Sequence, residues 1–338
     1  MVLIGKGPAP QILYEVSDPL RPRFLCRVTG TTAHVFTGDT ITYLRTAGSG
    51  TEVVLRSLGS GNESVVTSIP KDHLEGTYYG PSAWTPDGGI AATTLTPDRT
   101  HTDNSDVWLF AQRFAGVIWS YPYPVRGCIC RFGLPGATLA ISPDGQYLVA
   151  GGPGKGSEAF VVFRLSDRMQ VKAFDAGTGF VMWDRTGHRL FTTGTTTQTW
   201  TPEGGTVALA GAGRWDHLAG LSPDGTKIAY TGYLGPDDDA NLRVYVYDVK
   251  AESTRMLSDQ SRSQVLFVKS GWVWYLDEAA CVAGSPRPGC GPWGTAPTNR
   301  VFAMNLTSGV EQEVVFSQGE APALEYGMFT PGEFWPNS

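Results

Sequence analysis

The sequence predicts an all-β protein, a single β-propeller built from four-stranded blades. Three observations lead to this fold class. A proline-glycine turn motif recurs along the chain, turn glycines follow apolar runs at spacings of 38 to 57 residues, and short β-like runs fill each interval. Several short strands per repeat, separated by turn residues, are typical of propeller blades.

The turn motif is Ser/Thr-Pro-Asp-Gly, which occurs at 85–88, 142–145 and 222–225. Proline presets φ at about −65° and glycine takes the positive φ that other residues resist, so this order of residues favours a β-turn. The third copy lies within "LAGLSPDGTKIAYTGY", between two runs that are typical of strands. We therefore predict that the motif closes the inner hairpin of a blade and that Asp224 is a turn residue.

The turn glycines define the period of the repeat. Each is followed by a predicted second strand such as "KIAYTGY", a third such as "LRVYVYDV" and a shorter fourth such as "TRMLS". No helical pattern interrupts these runs, so each repeat is predicted to be one blade. The glycines are Gly38, Gly88, Gly145, Gly187, Gly225 and Gly271.

The two ends of the chain predict how the ring closes. Residues 9–39 align with residues 242–271, which are two outer strands of one blade and the first strand of the next. Residues 323–336 resemble an inner strand, a turn and the beginning of a second strand. We expect one blade with inner strands from the C-terminal end and outer strands from the N-terminal end, which would cover exposed sheet edges. This makes seven blades; six, with the terminal segments only covering an edge, is the alternative.

The predicted organisation is one propeller domain over residues 1–338, with 1–10 as a flexible leader and 277–299 as a long loop insertion. The formal net charge of −6 argues against nucleic acid as a partner, because phosphate binding requires a basic face. The chain has no apolar stretch of eighteen residues, which predicts no membrane span. We expect a monomer.

Five cysteines give an odd count. Cys281 and Cys290 flank a proline- and glycine-rich loop and are predicted to form a disulfide; two free loop thiols are the alternative. The pairing of Cys26, Cys128 and Cys130 is left open. A disulfide implies an oxidising compartment, so we expect an exported, extracytoplasmic protein whose signal or anchor segment is absent from this chain, with the cytoplasm as the alternative.

The Ser/Thr-Pro-Asp-Gly turns resemble the repeats of TolB-like and related WD-type propellers. The resemblance covers nearly the whole chain, although the turns at Thr37, Asp184 and Lys269 keep the glycine and lose the Pro-Asp pair. It implies the fold. The family includes partner-binding modules, periplasmic scaffolds and the propeller domains of lyases and peptidases, so the resemblance leaves the function open.

Functional residues are expected on the side of the blades opposite the short turns, because the long connections lie there. Two connections each deliver an Asp-His pair to the start of an inner strand, and such a pair can act as a general base or a metal ligand. The alternative, which we favour, is that these residues cap the connections by bonding to backbone amides. The predicted catalytic residues are Asp72, His73, Asp216 and His217.

Residues around the two pairs could bind an anionic or sugar-like ligand. They are Glu75, Tyr79, Arg126, Arg131 and Trp215. No cofactor is established by these patterns. The divalent cations that the chain could hold are zinc, at the Asp-His pairs, or calcium, at the acidic segment "GPDDDAN" (235–241), which lacks the alternation of a calcium loop and is more typical of a solvated loop.

Two functions follow. The first, which we favour, is a binding module that engages a protein, peptide or glycan through the loop-rich face. The alternative is a hydrolase or lyase acting on an ester, phosphoester, lactone or glycan at the mouth of the central channel.

The predicted disulfide can be tested directly. Linking Cys281 to Cys290 closes a loop with eight intervening residues, which would stabilise the protein by roughly 2–3 kcal/mol. We expect intact-mass measurement with an alkylating reagent to show that both thiols react only after reduction. Alkylation of both positions without reductant would rule the disulfide out.

Overall fold

The structure is a computed structural model. It describes residues 2–5, 11–28, 33–35, 40–48, 50–70, 83–84, 90–95, 104–111, 114–122, 138–151, 158–175, 181–184, 186–192, 197–210, 212, 217–222, 224–233, 242–269, 271–280, 295–316 and 328–329.

The described residues form seven antiparallel sheets of four strands each. Sheet 1 comprises β1 (Val2–Gly5), β2 (Gln11–Glu15), β3 (Arg23–Val28) and β28 (Met328–Phe329). Sheet 2 comprises β4 (Ala33–Val35), β5 (Thr40–Ala47), β6 (Gly50–Ser57) and β7 (Glu63–Pro70). Sheet 3 comprises β8 (Ala83–Trp84), β9 (Ile90–Leu95), β10 (Asn104–Ala111) and β11 (Phe114–Pro122).

The remaining four sheets follow in chain order. Sheet 4 comprises β12 (Thr138–Ile141), β13 (Tyr147–Gly151), β14 (Glu158–Arg164) and β15 (Met169–Asp175). Sheet 5 comprises β16 (Val181–Trp183), β17 (Leu190–Thr192), β18 (Gln198–Thr201) and β19 (Gly205–Ala208). Sheet 6 comprises β20 (His217–Leu221), β21 (Lys227–Tyr233), β22 (Leu242–Asp248) and β23 (Ser253–Met256). Sheet 7 comprises β24 (Arg262–Lys269), β25 (Trp272–Ala280), β26 (Thr295–Asn305) and β27 (Glu311–Glu313).

The predicted all-β fold class and the four-stranded repeat are confirmed. The number of blades in one ring stays a prediction. The chain divides into two compact units, residues 1–38 with 208–338 and residues 39–207, which are described separately. No helix long and apolar enough to cross a bilayer occurs in the part of the chain that the structure describes.

The glycine turns have the conformation that the sequence predicts. Gly145 and Gly225 have φ of 70°, and their amides donate to Ser142 O and Ser222 O at 2.8 Å. Asp224 Oδ1 accepts from Ser222 Oγ at 2.6 Å and from Thr226 N at 3.1 Å. Burial raises the pKa of Asp224, but these hydrogen bonds outweigh that effect and the pKa lies below its usual value. Asp224 is therefore a turn residue, as predicted.

The turn after the third strand is bonded to the glycine turn at the same edge of the sheet. In sheets 4, 6 and 7 the backbone amide after the third strand donates to a carbonyl of the glycine turn, at 2.8 to 2.9 Å. The pairs are Leu165 with Gln146, Val249 with Thr226, and Leu306 with Gly271. We call this the turn edge and the opposite one the loop edge. First strands begin and second strands end at the loop edge.

In the unit of residues 39–207, apolar side chains fill the spaces between consecutive sheets. Val107 and Leu109 of sheet 3 pack with Leu148 and Val161 of sheet 4. Sheet 4 in turn packs on sheet 5 through Trp183, whose Nε1 donates to Ala140 O at 3.1 Å. Each of these four aliphatic side chains is at most 3% exposed, so each layer stabilises the next through burial of apolar surface.

In the other unit, sheet 7 packs between sheets 6 and 1. Its Val273 and Tyr275 contact the cluster that includes Val244 of sheet 6, while Trp274 and Leu276 contact Tyr14 of sheet 1. Successive side chains of β25 thus alternate between two cores, as strand geometry requires. Both faces of β25 are buried.

Sheet 1 joins the two ends of the chain, as predicted, but the division of strands differs. Ile4 of β1 pairs with Phe329 of β28, so three strands come from the N-terminal end and one from the C-terminal end. The expected flexible leader at 1–10 is wrong for Val2–Gly5, because β1 is hydrogen-bonded to strands on both sides. The connection expected at 277–299 is shorter than predicted: β25 continues to Ala280 and β26 begins at Thr295, so residues 281–294 lie between the two strands.

Deleting residues 323–338 is expected to destabilise the whole protein. The deletion removes β28 and leaves one edge of β1 unpaired, and a loss of several kcal/mol would lower the Tm by on the order of 5–10 °C. Thermal unfolding measures this change. Deleting only residues 330–338, which follow β28, is the control; equal melting of both truncations and the full chain would contradict closure by β28.

Candidate functional site

Most of the residues predicted to form a site lie outside the described residues. Only His217 among them has a described position: it is the first residue of β20, at the loop edge of sheet 6. Its side chain is not described. The others that lie outside are Asp72, His73, Glu75, Tyr79, Arg126, Arg131, Trp215 and Asp216, together with Cys128, Cys130, Cys281, Cys290 and the acidic segment 235–241.

Two further residues with reactive side chains, Cys26 and His188, have described positions. Cys26 lies in β3, paired across the sheet with Leu13. His188 follows the turn glycine of sheet 5; its amide donates to Asp184 Oδ1 at 3.0 Å and its imidazole lies 3.0 Å from Glu203 at an exposed position.

The described residues nearest in register to His217 are polar. His217 pairs with Thr231 across sheet 6, and in sheet 7 Arg262 pairs with Asp277. Both pairs stand where a first strand begins and a second strand nears its end. Gly220 lies against Leu266, with only 3.4 Å between an ideal Cβ on Gly220 and Leu266 Cα, so β20 and β24 are neighbours.

The loop edges of sheets 6 and 7 face the same way. Arg255 of β23 donates through Nη2 to Leu306 O at 3.0 Å, and Leu306 belongs to the turn edge of sheet 7. Because the turn edges are joined, the opposite edges are also side by side. The pairs His217–Thr231 and Arg262–Asp277 therefore lie at one end of the interface between the two sheets.

Arg262 is the centre of a charged network in sheet 7. Its Nη1 lies 2.5 Å from Asp277 Oδ1 and its Nη2 lies 2.9 Å from Glu311 Oε1. The side chain of Arg262 is 7% exposed. Buried arginines require such pairing, because an unpaired guanidinium in a core costs several kcal/mol.

Aromatic rings line the path of the Arg262 side chain. Its guanidinium carbon lies 4.6 Å from the Phe302 ring centroid and 5.8 Å from that of Tyr275. Tyr275 donates a short hydrogen bond to Glu311. Burial first, then the hydrogen bond to Glu311 and its negative charge, raise the pKa of Tyr275 far above its usual value, so the phenol stays protonated.

Arg300 forms the exposed end of the same network. Its Nη2 lies 2.7 Å from Glu313 Oε2, its Nη1 lies 3.8 Å from Asp277 Oδ2, and its guanidinium is 4.9 Å from the Phe302 ring centroid. The hydrogen bond from Arg300 lowers the pKa of Glu313. The network thus connects the first strand of sheet 7 with the fourth.

A smaller network of the same kind occurs in sheet 2. Tyr43 of the second strand donates to Glu63 of the fourth strand at 2.5 Å, and Arg45 lies 2.9 Å from the same carboxylate. Burial, then the bond to Glu63, raises the pKa of Tyr43 to about 12. A tyrosine in the second strand that reaches a glutamate in the fourth is thus used twice to brace a sheet.

What the network can do chemically follows from its pairing. Every guanidinium Nη that we describe in sheet 7 is engaged with a carboxylate, so the network braces strand ends and carries more negative than positive charge. No group of three His, Cys, Asp or Glu side chains suited to a metal ion occurs within the described ranges. The longest connection of sheet 7, residues 281–294, starts three residues after Glu278 at this edge.

No protein-family model and no curated protein matches the chain. Several solved structures are similar in fold. An oligogalacturonate lyase from Vibrio parahaemolyticus has a TM-score of 0.54 at 11% identity, covering 82% of this chain and 87% of that one. A puromycin-hydrolysing peptidase from Mycobacterium tuberculosis has a TM-score of 0.52 at 13% identity, covering 95% of this chain and 54% of that one.

TolB from Acinetobacter baumannii is also among the similar structures, with a TM-score of 0.43 at 19% identity, covering 83% of this chain and 65% of that one. TolB and other β-propeller proteins are thus among the structures that this chain resembles in fold, and the turn motif predicts the same resemblance. At these identities the likenesses show the fold, a β-propeller, and the solved propellers include both enzymes and binding proteins.

Replacing Arg262 by methionine tests whether the network braces the sheet. The change removes the closest cation of both Asp277 and Glu311, while Arg300 stays 3.8 Å from Asp277. We expect the unfolding free energy to fall by about 3 kcal/mol, the lower end of the range for breaking a buried pair, because both carboxylates also keep some contact with solvent. Chemical denaturation measures this difference.

Arg300→Met is the matched control, since its side chain is 53% exposed and exposed ion pairs contribute about 1 kcal/mol or less. A loss in Arg262→Met no larger than the loss in Arg300→Met would show that the buried pairing of Arg262 stabilises the sheet no more than an exposed ion pair does.

Proposed function

We propose that the protein is a binding module that engages a protein, peptide or glycan through the loop edge of its sheets. The observation that carries this proposal is the difference between the two edges. At the turn edge, short turns repeat the same hydrogen bonds in sheets 4, 6 and 7. The loop edge carries the longer connections, including residues 71–82, 123–137 and 281–294.

The charged network of sheet 7 supports the proposal. Arg262 and Asp277 fix the ends of β24 and β25 where the connection 281–294 departs. Recognition gains affinity when the binding segments are held by a rigid support, because less conformational entropy is lost on association. A buried ion pair at the base of the longest connection within sheet 7 supplies such support.

A hydrolase or lyase is the second candidate. The position of His217 at the first residue of β20 favours it, because this histidine begins an inner strand at the loop edge and follows Asp216. An imidazole next to a carboxylate can act as a general base. The likenesses to a lyase and a peptidase are likenesses of fold and add nothing about the substrate.

Location and assembly follow as parts of the same proposal. An extracytoplasmic site of action fits the disulfide predicted between Cys281 and Cys290, and the protein would act as a monomer. Any zinc or calcium would bind at the Asp-His pairs or the acidic segment 235–241.

Screening on glycan and peptide arrays, followed by calorimetric titration of the strongest binder, tests the proposal. Replacing residues 281–294 with a Gly-Ser linker of equal length is expected to weaken that binder at least about tenfold, because the support at the loop edge would lose its binding segment. Lys250→Ala, an exposed change at the turn edge, is the control and should keep the wild-type Kd.

The absence of any binder on either array, or an equal loss in the turn-edge control, would contradict a binding role at the loop edge. Turnover of a panel of chromogenic esters, phosphoesters, lactones and glycosides that disappears in His217→Ala would favour the enzyme instead.

A further inference from the structure

Three buried polar atoms at the loop edge of sheets 6 and 7 have no hydrogen-bond partner within the described structure. They are Thr231 Oγ1, Ser261 Oγ and Arg262 Nε. Thr231 is fully buried and Arg262 is 6% exposed. Nearly all buried polar groups in folded proteins are hydrogen-bonded, and one that is not points to a bound water, ion or ligand.

These atoms belong to adjoining elements at one end of the interface. Thr231 pairs with His217, the first residue of β20, and β20 lies against β24 at Gly220. Ser261 precedes β24 directly, and its carbonyl accepts from Glu278 N at 3.2 Å. Arg262 is the first residue of β24. The unpartnered atoms thus lie where β20 and β24 begin, at the edge to which we assign binding.

The chemistry of the three atoms limits what can occupy the site. Two are hydroxyl oxygens, which both donate and accept, and one is an N–H, which only donates. The charge of Arg262 is already compensated by Asp277 and Glu311, so the site offers no free positive charge to an anion. An uncharged group that both accepts and donates, such as a hydroxyl, matches the hydrogen-bonding chemistry of each of these atoms.

We propose that this end of the interface binds hydroxyl groups of an uncharged carbohydrate. This inference rests on the proposed binding function and selects the glycan among its partner classes. The hydroxyl oxygen of the sugar would accept from Arg262 Nε, and the hydroxyls of Thr231 and Ser261 would exchange hydrogen bonds with the sugar. In the absence of sugar, water would take the same positions.

Sheet 5 supplies a matched control. Thr192 stands at the end of its second strand, opposite Val181 at the start of the first, as Thr231 stands opposite His217. Its hydroxyl is also fully buried and unpartnered in the described structure. In sheet 5 the residue across the strand is apolar, and we expect no sugar there.

The test is titration calorimetry with glucose, galactose, mannose, N-acetylglucosamine and their disaccharides, using the wild type, Thr231→Val, Thr231→Ser and Thr192→Val. Valine keeps the shape of threonine and removes only the hydroxyl, so all variants should fold, which melting curves check. We expect at least one sugar to bind the wild type, Thr231→Val to bind it about tenfold more weakly, and Thr231→Ser and Thr192→Val to keep the wild-type Kd.

Each other outcome overturns the inference. Equal affinity in Thr231→Val and Thr192→Val would exclude a role for the Thr231 hydroxyl. Binding of peptides without any of the sugars would leave the loop-edge function standing and remove the carbohydrate. A crystal structure at saturating sugar with only water beside Thr231 would assign the site to solvent. Sugar binding that is lost on replacing residues 281–294 and unchanged in Thr231→Val would also keep the proposed function while rejecting this site.

Discussion

The docking of the N-terminal segment on sheet 7 is the interaction on which the unit of residues 1–38 and 208–338 depends. Trp274 is fully buried, and its indole nitrogen donates to Pro19 O at 2.9 Å. Tyr14 packs beside it, and Val315 N donates to Leu20 O at 2.9 Å. These contacts join residues more than 250 positions apart, so the two ends of the chain must meet before this core is complete.

This docking also determines which parts of the sheets are free for function. Because β25 is buried on both faces, its backbone can move little. Arg262 of β24 and Asp277 of β25 are therefore held in place at the loop edge of sheet 7. The turn edge is fixed independently by the repeated bonds of Asp224 and its counterparts. A rigid support with one closed edge and one edge of long connections suits the recognition that we propose, and the Thr231 hydroxyl, which has no partner within the described structure, is the specific polar contact proposed there.

The sequence predicted the repeat well because turn chemistry is local. Ser222, Asp224 and Gly225 can be identified from their order alone, and the structure confirms their roles. The strand Val2–Gly5 was missed because three apolar residues before a glycine- and proline-rich segment form too short a pattern to indicate a strand.

The charged network was missed for a different reason. Asp277 and Glu311 resemble solvated loop residues in sequence, and only the pairing of four strands brings them to Arg262. One pattern in the sequence could have indicated the network. In both sheet 2 and sheet 7, a tyrosine of the second strand is followed by a glutamate of the fourth strand, and the two side chains are hydrogen-bonded. No sequence pattern marked Thr231 as a candidate site residue, because β-branched residues are common in strands.

Native-state hydrogen exchange measured by mass spectrometry tests the central claim most directly. If docking of the N-terminal segment completes the core, the amides of β2 (Gln11–Glu15) and β25 (Trp272–Ala280) open in one cooperative step and exchange with the same free energy, within about 1 kcal/mol. Exchange of β2 at least about a hundredfold faster than β25, with β25 still protected, would show that the segment opens alone and that the core does not depend on it.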